Sequence, residues 1–286
     1  MYPNTQTRKA YYFARVMLLT ALFSNSSQLR AQSVTEIITD YNGYWKTAAS
    51  SHNANKPKNS HNLLAFTFNG VRYSTGVDDA ALVSHGESYQ AGVFKALPVQ
   101  SITGNIVGNT KVGLGALYDG VANGPSAIAP VHDIPMYLTD GKHGLDLGTG
   151  VANLPAGSMY FSISEFPLNS IGDGVPDVLV TQVADPSGST DYYEFTDVNG
   201  NRIGNTVQIS LNNIAPVATW TADFYEANVK PMVLTNGFTQ TDRPLKLWAA
   251  DFSAFGITPA NIAQVSSFKI NLNGNSDVAF VAYNTN

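Results

Sequence analysis

Apolar and polar positions alternate along this chain in short runs, and Gly, Asn, Asp or Pro interrupts them about every ten residues. A period of two with frequent punctuation predicts strands joined by turns, because successive side chains of a strand point to opposite faces. The clearest instance is residues 63–68 and 71–74 around Asn69-Gly70. Both turn residues tolerate positive φ, so a two-residue hairpin is expected, with Phe68 opposite Val71 and Phe66 opposite Tyr73 on a core-facing side. Residues 159–163 put Met159, Phe161 and Ile163 on one side, after a turn around Pro155 and Gly157. Residues 178–183 are more uniformly apolar and predict an inner strand. A second hairpin is expected from 192–196, through a turn at 197–201, to 202–203 and 207–211. Nearer the C-terminus 245–248, 268–272 and 278–283 read as strands, the last two joined by a turn at 273–276.

Helix is sparse. One short helix is expected at 259–265, with Thr258 as N-cap and Pro259 in the first turn, and another turn of helix at 78–83. Loops are expected at 56–60 and 121–130. Many short strands without crossover helices predict an all-β fold, an antiparallel two-sheet sandwich of jelly-roll type with one or two short helices.

The first 31 residues hold Arg8, Lys9, Arg15 and Arg30, no acid, and an apolar run at 16–23. That order is a secretory signal pattern, and the run is well short of the roughly 20 residues of a spanning helix. Residues 1–31 are therefore expected to be a signal peptide and 32–286 a single β-sandwich domain, secreted or on the outer cell surface. Beyond residue 31 the chain has 12 Lys and Arg against 21 Asp and Glu, a formal charge of −9. No basic cluster occurs there, which argues against nucleic acid as a partner, and no later segment approaches a spanning length. There is no cysteine, so disulfides, thiolate metal sites and cysteine nucleophiles are excluded, and carboxylates, imidazoles, hydroxyls and aromatic faces are left to carry any chemistry.

Three stretches carry a family resemblance: Ile38-Thr-Asp-Tyr-Asn-Gly-Tyr-Trp-Lys46, Asn59-Ser-His-Asn-Leu-Leu-Ala-Phe-Thr-Phe-Asn-Gly-Val71 and Ser74-Thr-Gly-Val-Asp-Asp-Ala-Ala-Leu82. It continues through Gly172-Asp-Gly-Val-Pro-Asp177, Arg243-Pro-Leu-Lys-Leu-Trp-Ala-Ala-Asp251 and the closing run from Ala279 to Asn286. The chain resembles the N-terminal module of large secreted surface proteins of Bacteroidota, adhesin-like cargo of the type IX secretion system. The resemblance implies a location, outside the cell or on its surface, more than an activity, and it supplies no catalytic residues.

Among the motifs, Asp173 and Asp177 stand four apart around Gly174 and Pro176. Two readings stand for them: calcium held by the two carboxylates and backbone oxygens, or a plain turn entering the next strand. Asp197 to Asn201 offers oxygen ligands but is more simply hairpin chemistry, and Asp78-Asp79 suits a capped helix start. The five histidines, His52, His61, His85, His132 and His143, show no spacing that puts two ligands on one element. A polysaccharide-active enzyme would need two carboxylates across a sugar, and no paired-carboxylate motif or Gly-x-Ser-x-Gly elbow occurs. Aromatic residues supply the binding candidates: Tyr44, Trp45, Tyr192, Trp220 and Trp248, whose rings could stack on sugars or, alternatively, fill the core. The expected function is a non-enzymatic extracellular module of adhesion that takes a glycan or a surface protein as partner. The alternatives are a glycoside hydrolase-like enzyme and a purely structural surface-layer domain.

Overall fold

A computed structural model describes residues 32–115, 133–164, 166–185 and 190–286. The expected signal peptide and the loop at 121–130 lie outside the described residues.

The strands, in chain order, begin with β1 (Gln32–Ser33), β2 (Glu36–Thr39), β3 (Trp45–Ala48), β4 (Leu63–Phe68), β5 (Val71–Ser74) and β6 (Phe94–Ala96). They continue with β7 (Val99–Ile102), β8 (Lys111–Gly115), β9 (Thr149–Leu154), β10 (Gly157–Ser162), β11 (Val178–Gln182) and β12 (Thr190–Thr196). The last six are β13 (Arg202–Ser210), β14 (Ala218–Glu226), β15 (Thr241–Ala250), β16 (Ser267–Leu272), β17 (Ser276–Val278) and β18 (Val281–Asn284). Helix α1 (Asp79–Ser84) is the only α-helix among the described residues, and the remaining helical segments are single 3-10 turns.

Three antiparallel sheets result. The nine-stranded sheet runs β17-β9-β8-β14-β15-β11-β18-β6, with β1 also on β15. A five-stranded sheet runs β13-β12-β16-β10-β7 and a four-stranded sheet β3-β2-β4-β5. The fold is thus the all-β antiparallel sandwich that the alternation predicts, built with a third sheet.

The layering follows from which side chains share a core. Val178, Val180, Trp248 and Ala250 of the large sheet pack with Met159, Phe161, Tyr193, Phe195, Phe268 and Ile270 of the five-stranded sheet. Their chain neighbours Leu179, Leu247 and Ala249 point the other way, into a second core with Ile37, Trp45, Leu63, Phe66 and Phe68 of the four-stranded sheet. The large sheet is therefore buried on both faces, which is why β11 reads as a continuous apolar run rather than an alternating one. A small third cluster seats Leu82 of α1 against Ile38, Leu64 and Ala65.

The Asn69-Gly70 hairpin forms with the expected register, Phe68 opposite Val71 and Phe66 opposite Tyr73. Asn69 at φ 51° and Gly70 at φ 77° make the left-handed pair that matches strand twist. Helix α1 forms where expected, with the Asp78 carboxylate accepting the Ala81 N–H at 3.0 Å. Two expectations change. Residues 259–265 do not form a helix: Asn261 turns its amide oxygen onto the Thr258 N–H and its NH2 onto the Gly256 carbonyl, and only a 3-10 turn at Ile262–Gln264 follows. The turn at 273–276 does not join a hairpin either, because β16 and β17 belong to different sheets. Asp191 pins this crossover by accepting the Asn273 N–H at 3.1 Å and the Ser276 hydroxyl at 2.6 Å. The expected strand at 278–283 is broken as well, since the Thr181 hydroxyl takes the N–H groups of Ala279 and Phe280, both at 2.9 Å.

Buried carboxylates recur as ties between distant segments. Asp146 accepts the His61 N–H at 2.7 Å and the Gly148 N–H at 2.8 Å. Asp251 takes three N–H groups, from Gly172 and Gly174 at 3.0 Å and Ser253 at 2.7 Å, and so clamps the loop before β11 to the end of β15. Asp251→Ala strips all three donors of their acceptor in a buried setting, and a loss of about 3 kcal/mol is expected in urea unfolding. Asp251→Asn, which keeps one acceptor oxygen, is expected to lose less.

The same burial makes stability depend on pH. Desolvation lifts the Asp146 carboxyl to about 7 and the Asp277 carboxyl to about 7, against hydrogen bonds from backbone N–H groups that pull the other way. A carboxyl with a raised folded pKa contributes stability that is complete below its unfolded value and lost as pH rises through about 7. His61 opposes them: its ring is fully buried with neither nitrogen hydrogen-bonded, and desolvation lowers it to about 3. Its contribution is lost as pH falls below the unfolded value of 6.5. With Asp177, whose carboxyl burial pushes up to about 8, three carboxyls outweigh one imidazole, so the melting temperature is expected to rise as pH falls from 8 to 5. Asp146→Asn should flatten that slope.

Candidate functional site

The outer face of the five-stranded sheet follows directly from its inner one. With Met159, Phe161, Tyr193, Phe195, Phe268 and Ile270 in the core, alternation turns their neighbours outward. The register lines these up in three rows. Tyr192 of β12 lies opposite Asn271 of β16, which lies opposite Ser158 of β10. The next row is Glu194, Lys269, Tyr160 and Ser101, and the third is Thr196, Ser267 and Ser162.

Hydrogen bonds fix the polar groups of this face. Glu194 accepts Lys269 Nζ and Asn271 Nδ2, both at 2.9 Å, and the Thr206 hydroxyl at 3.1 Å. Burial alone would raise the Glu194 carboxyl, but these donors and the Lys269 charge outweigh it and hold the group below its ordinary value. Ser158 donates to Asn271 Oδ1 at 3.1 Å. Lys269 Nζ lies 5.6 Å from the centre of the Tyr160 ring. Tyr192 is 37% exposed, and Tyr160 is half-buried. Two strands across and two residues along separate these rings by ~12 Å.

At one end of the face the 197–201 turn rises as a wall. Asp197 closes it by accepting the N–H groups of Asn199 at 2.9 Å and Asn201 at 2.8 Å and the Asn201 side chain at 3.0 Å. Beneath lies an open groove of about 520 Å³, lined by Tyr160, Ser162, Asn199, Ser266, Ser267 and Gln100 among others. Its lining combines hydroxyls, amides and one aromatic ring.

Among the described residues, Glu194 and Asp197 are the acids on this side, and both are engaged. Glu194 is held ionised by three side-chain donors, and hydrogen bonds from Asn201 and Asn199 keep the Asp197 carboxyl below its ordinary value. Neither can offer the proton that a general acid must supply. The arrangement can hold a polyhydroxylated ligand by stacking and hydrogen bonding.

Of the sequence candidates, Tyr192 alone lies on this face. Trp45, Trp220 and Trp248 are core side chains, at most 4% exposed, and a buried ring has no face to offer a ligand. Trp45 Nε1 donates to the Asn55 carbonyl at 2.9 Å and Trp220 Nε1 to the Val183 carbonyl at 2.6 Å, while Trp248 packs edge-on against Tyr193 at 4.6 Å. Tyr44 stacks on His85 at 3.9 Å and donates its hydroxyl to Glu87. That carboxylate also takes Lys46 at 2.9 Å and an Arg72 guanidinium N–H, so Tyr44 belongs to an ion-pair network of the four-stranded sheet. Tyr160, which the aromatic count passed over, joins Tyr192 on the face. The strand pattern already held the signal, since Met159 and Phe161 inward require Tyr160 outward.

Asp173 and Asp177 each accept a backbone N–H, and Asp251 lies close enough to act on both carboxyls. Asp173 Oδ1 accepts the Val175 N–H at 2.8 Å in a local turn, and Asp177 Oδ2 accepts the Phe252 N–H at 2.7 Å. Asp177 is fully buried, its Oδ1 has no hydrogen-bond partner, and desolvation pushes the carboxyl up to about 8. No group of three or more His, Asp or Glu side chains among the described residues is arranged to hold a metal ion.

No helix among the described residues is long and apolar enough to cross a membrane. Comparison of the chain with protein-family models, with curated proteins and with solved structures finds no match.

Proposed function

We propose that this protein is a non-enzymatic extracellular module of adhesion that binds carbohydrate on the outer face of its five-stranded sheet. One observation carries the reading: Tyr192 and Tyr160 stand on a face whose Glu194, Lys269 and Asn271 are already locked by hydrogen bonds. Sugar rings present an apolar face to stack and a polar edge to bond, and a sheet of this kind meets both with little side-chain entropy left to lose. The ~12 Å between the two rings suits contact with different residues of one oligosaccharide rather than with a single sugar. The basic, acid-free, apolar pattern of residues 1–31 supports the extracellular setting.

A glycan array and polysaccharide affinity electrophoresis on the chain from Gln32 test the reading. Tyr192→Ala and Tyr160→Ala are each expected to weaken binding about tenfold, or ~1.4 kcal/mol, with unchanged melting temperature. Wild-type affinity in both variants would remove the face from the account. Product release from a bound polysaccharide would replace binding with hydrolysis, and silence on every glycan would favour a protein partner or a structural role.

Calcium is tested alongside by melting with and without a chelator. The hydrogen bonds already made by Asp173 and Asp177 favour an unchanged curve. A lowered melting temperature that Asp173→Ala abolishes would instead assign a cation to that loop.

A further inference from the structure

A second cleft, formed by other elements, holds chemistry that the sheet face does not use. It encloses about 250 Å³ between β8, β9, β14, β15 and β17, and its lining includes Lys111, Asn153, Asp185, Phe224, Phe238, Arg243 and Asp277. The volume suits one sugar ring or a comparable small molecule.

Arg243 is the positioned cation. Its guanidinium carbon lies 5.4 Å from the Phe224 ring centre and 5.8 Å from that of Phe238. Two rings beside the planar group restrict its tilt and leave its N–H edge as the part offered to a partner. One of its nitrogens, Nη1, is spent on the neighbouring Asp242 carbonyl at 2.9 Å. Phe238, 40% exposed, is an apolar ring at the mouth with no core to fill.

Asp277 is the second group. It is 2% exposed, and its Oδ1 accepts the Asn153 N–H at 2.7 Å. Among the described residues Oδ2 has no hydrogen-bond partner, although the residue lines the cleft. Arg243 and Asp277 line one cleft without forming an ion pair, so the space between them can admit a ligand that touches both.

We propose that this cleft binds a carboxylate-bearing ligand about one sugar ring in size, with the Arg243 guanidinium and the Asp277 carboxyl as its two recognition groups. A carboxylate is the planar acceptor that the guanidinium fork fits. The buried Asp277 carboxyl, when protonated, donates to the second carboxylate oxygen. Burial favours that protonated form, and the negative charges of Asp185 and Asp191 reinforce it while Arg243 opposes it, leaving the group near 7. Lys111 lines the cleft too, but Glu226 at 2.6 Å neutralises it. Asp185 at the exposed rim repels an anion and is screened by solvent.

The site stands apart from the sheet face and is tested apart from it. Titrations of the chain from Gln32 with sodium glucuronate, sodium galacturonate, acetate and glucose, by calorimetry at pH 5.5 and 8.5, read it directly. Glucuronate or galacturonate is expected to bind at pH 5.5 and at least tenfold more weakly at 8.5. Asp277→Asn should flatten that pH dependence, Arg243→Gln should abolish binding at both values, and Tyr192→Ala should leave it unchanged. Competition by acetate as strong as by the sugar acids supports a site for the carboxylate alone. Failure of acetate to compete supports a site for a sugar acid. Glucose binding as tightly as glucuronate, affinity independent of pH, undiminished binding in Arg243→Gln, or no carboxylate binding at pH 5.5 would each overturn the proposal. The wild-type pH series and Arg243→Gln decide the matter even if Asp277→Asn fails to fold.

Discussion

Burial of the nine-stranded sheet on both faces is the constraint on which the remaining structure depends. Along Val178 to Val180 of β11 and Leu247 to Ala250 of β15, each residue step sends a side chain into one core and then the other, so these stretches have no polar side. Two smaller sheets must therefore cover it, and each of those has a second face left over. The four-stranded sheet uses its outer face for helix α1 and the network around Glu87, in which Tyr44, Lys46 and Arg72 share one carboxylate. Among the described residues the five-stranded sheet has no such cover on the rows around Tyr192 and Tyr160, and that is where a surface for a ligand becomes available.

A core divided in two also explains the many buried acids. Loops that pass between layers bring backbone N–H groups into places where no ladder can satisfy them, and a carboxylate can accept several at once. Asp251 does this for the loop before β11, Asp191 for the crossover from β16 to β17, and Asp146 for the segment after His61. These ties join distant segments in a chain that has no cysteine to form disulfides. Titration is the consequence, because a carboxyl taken out of water is easier to protonate.

The sequence made the strands legible and the layers illegible. Alternation placed Phe66 opposite Tyr73 and turned Met159 and Phe161 inward, since period two is a local property. Whether a uniformly apolar strand such as β11 is covered by one sheet or two depends on contacts distant in sequence, and no local pattern records them. The tryptophans show the same limit. Trp45 sits among Tyr and Asn in sequence, which suggests an exposed ring, yet the Asn55 carbonyl supplies an internal partner for its N–H and removes the need for water. Tyr192 and Tyr193 were separable in principle, because adjacent residues of a strand must face opposite ways. The groove was beyond reach, as its floor comes from β7, β10, β12 and β16 and its wall from the turn after β12.

The division between binding and catalysis rests on what each acid has left to give. Hydrolysis of a glycoside needs one carboxyl that can release a proton to the leaving oxygen and another that faces the sugar. On the outer face of the five-stranded sheet Glu194 has spent its oxygens on Lys269, Asn271 and Thr206, and Asp197 has spent its own on a turn. The described acids that hold protons near neutrality, Asp146, Asp177 and Asp277, lie elsewhere, and the first two are sealed inside. Among the described residues of the sheet face, the rings of Tyr192 and Tyr160 are therefore not accompanied by a proton-bearing carboxyl. That arrangement is the physical support for the proposal that the face holds a ligand by contact.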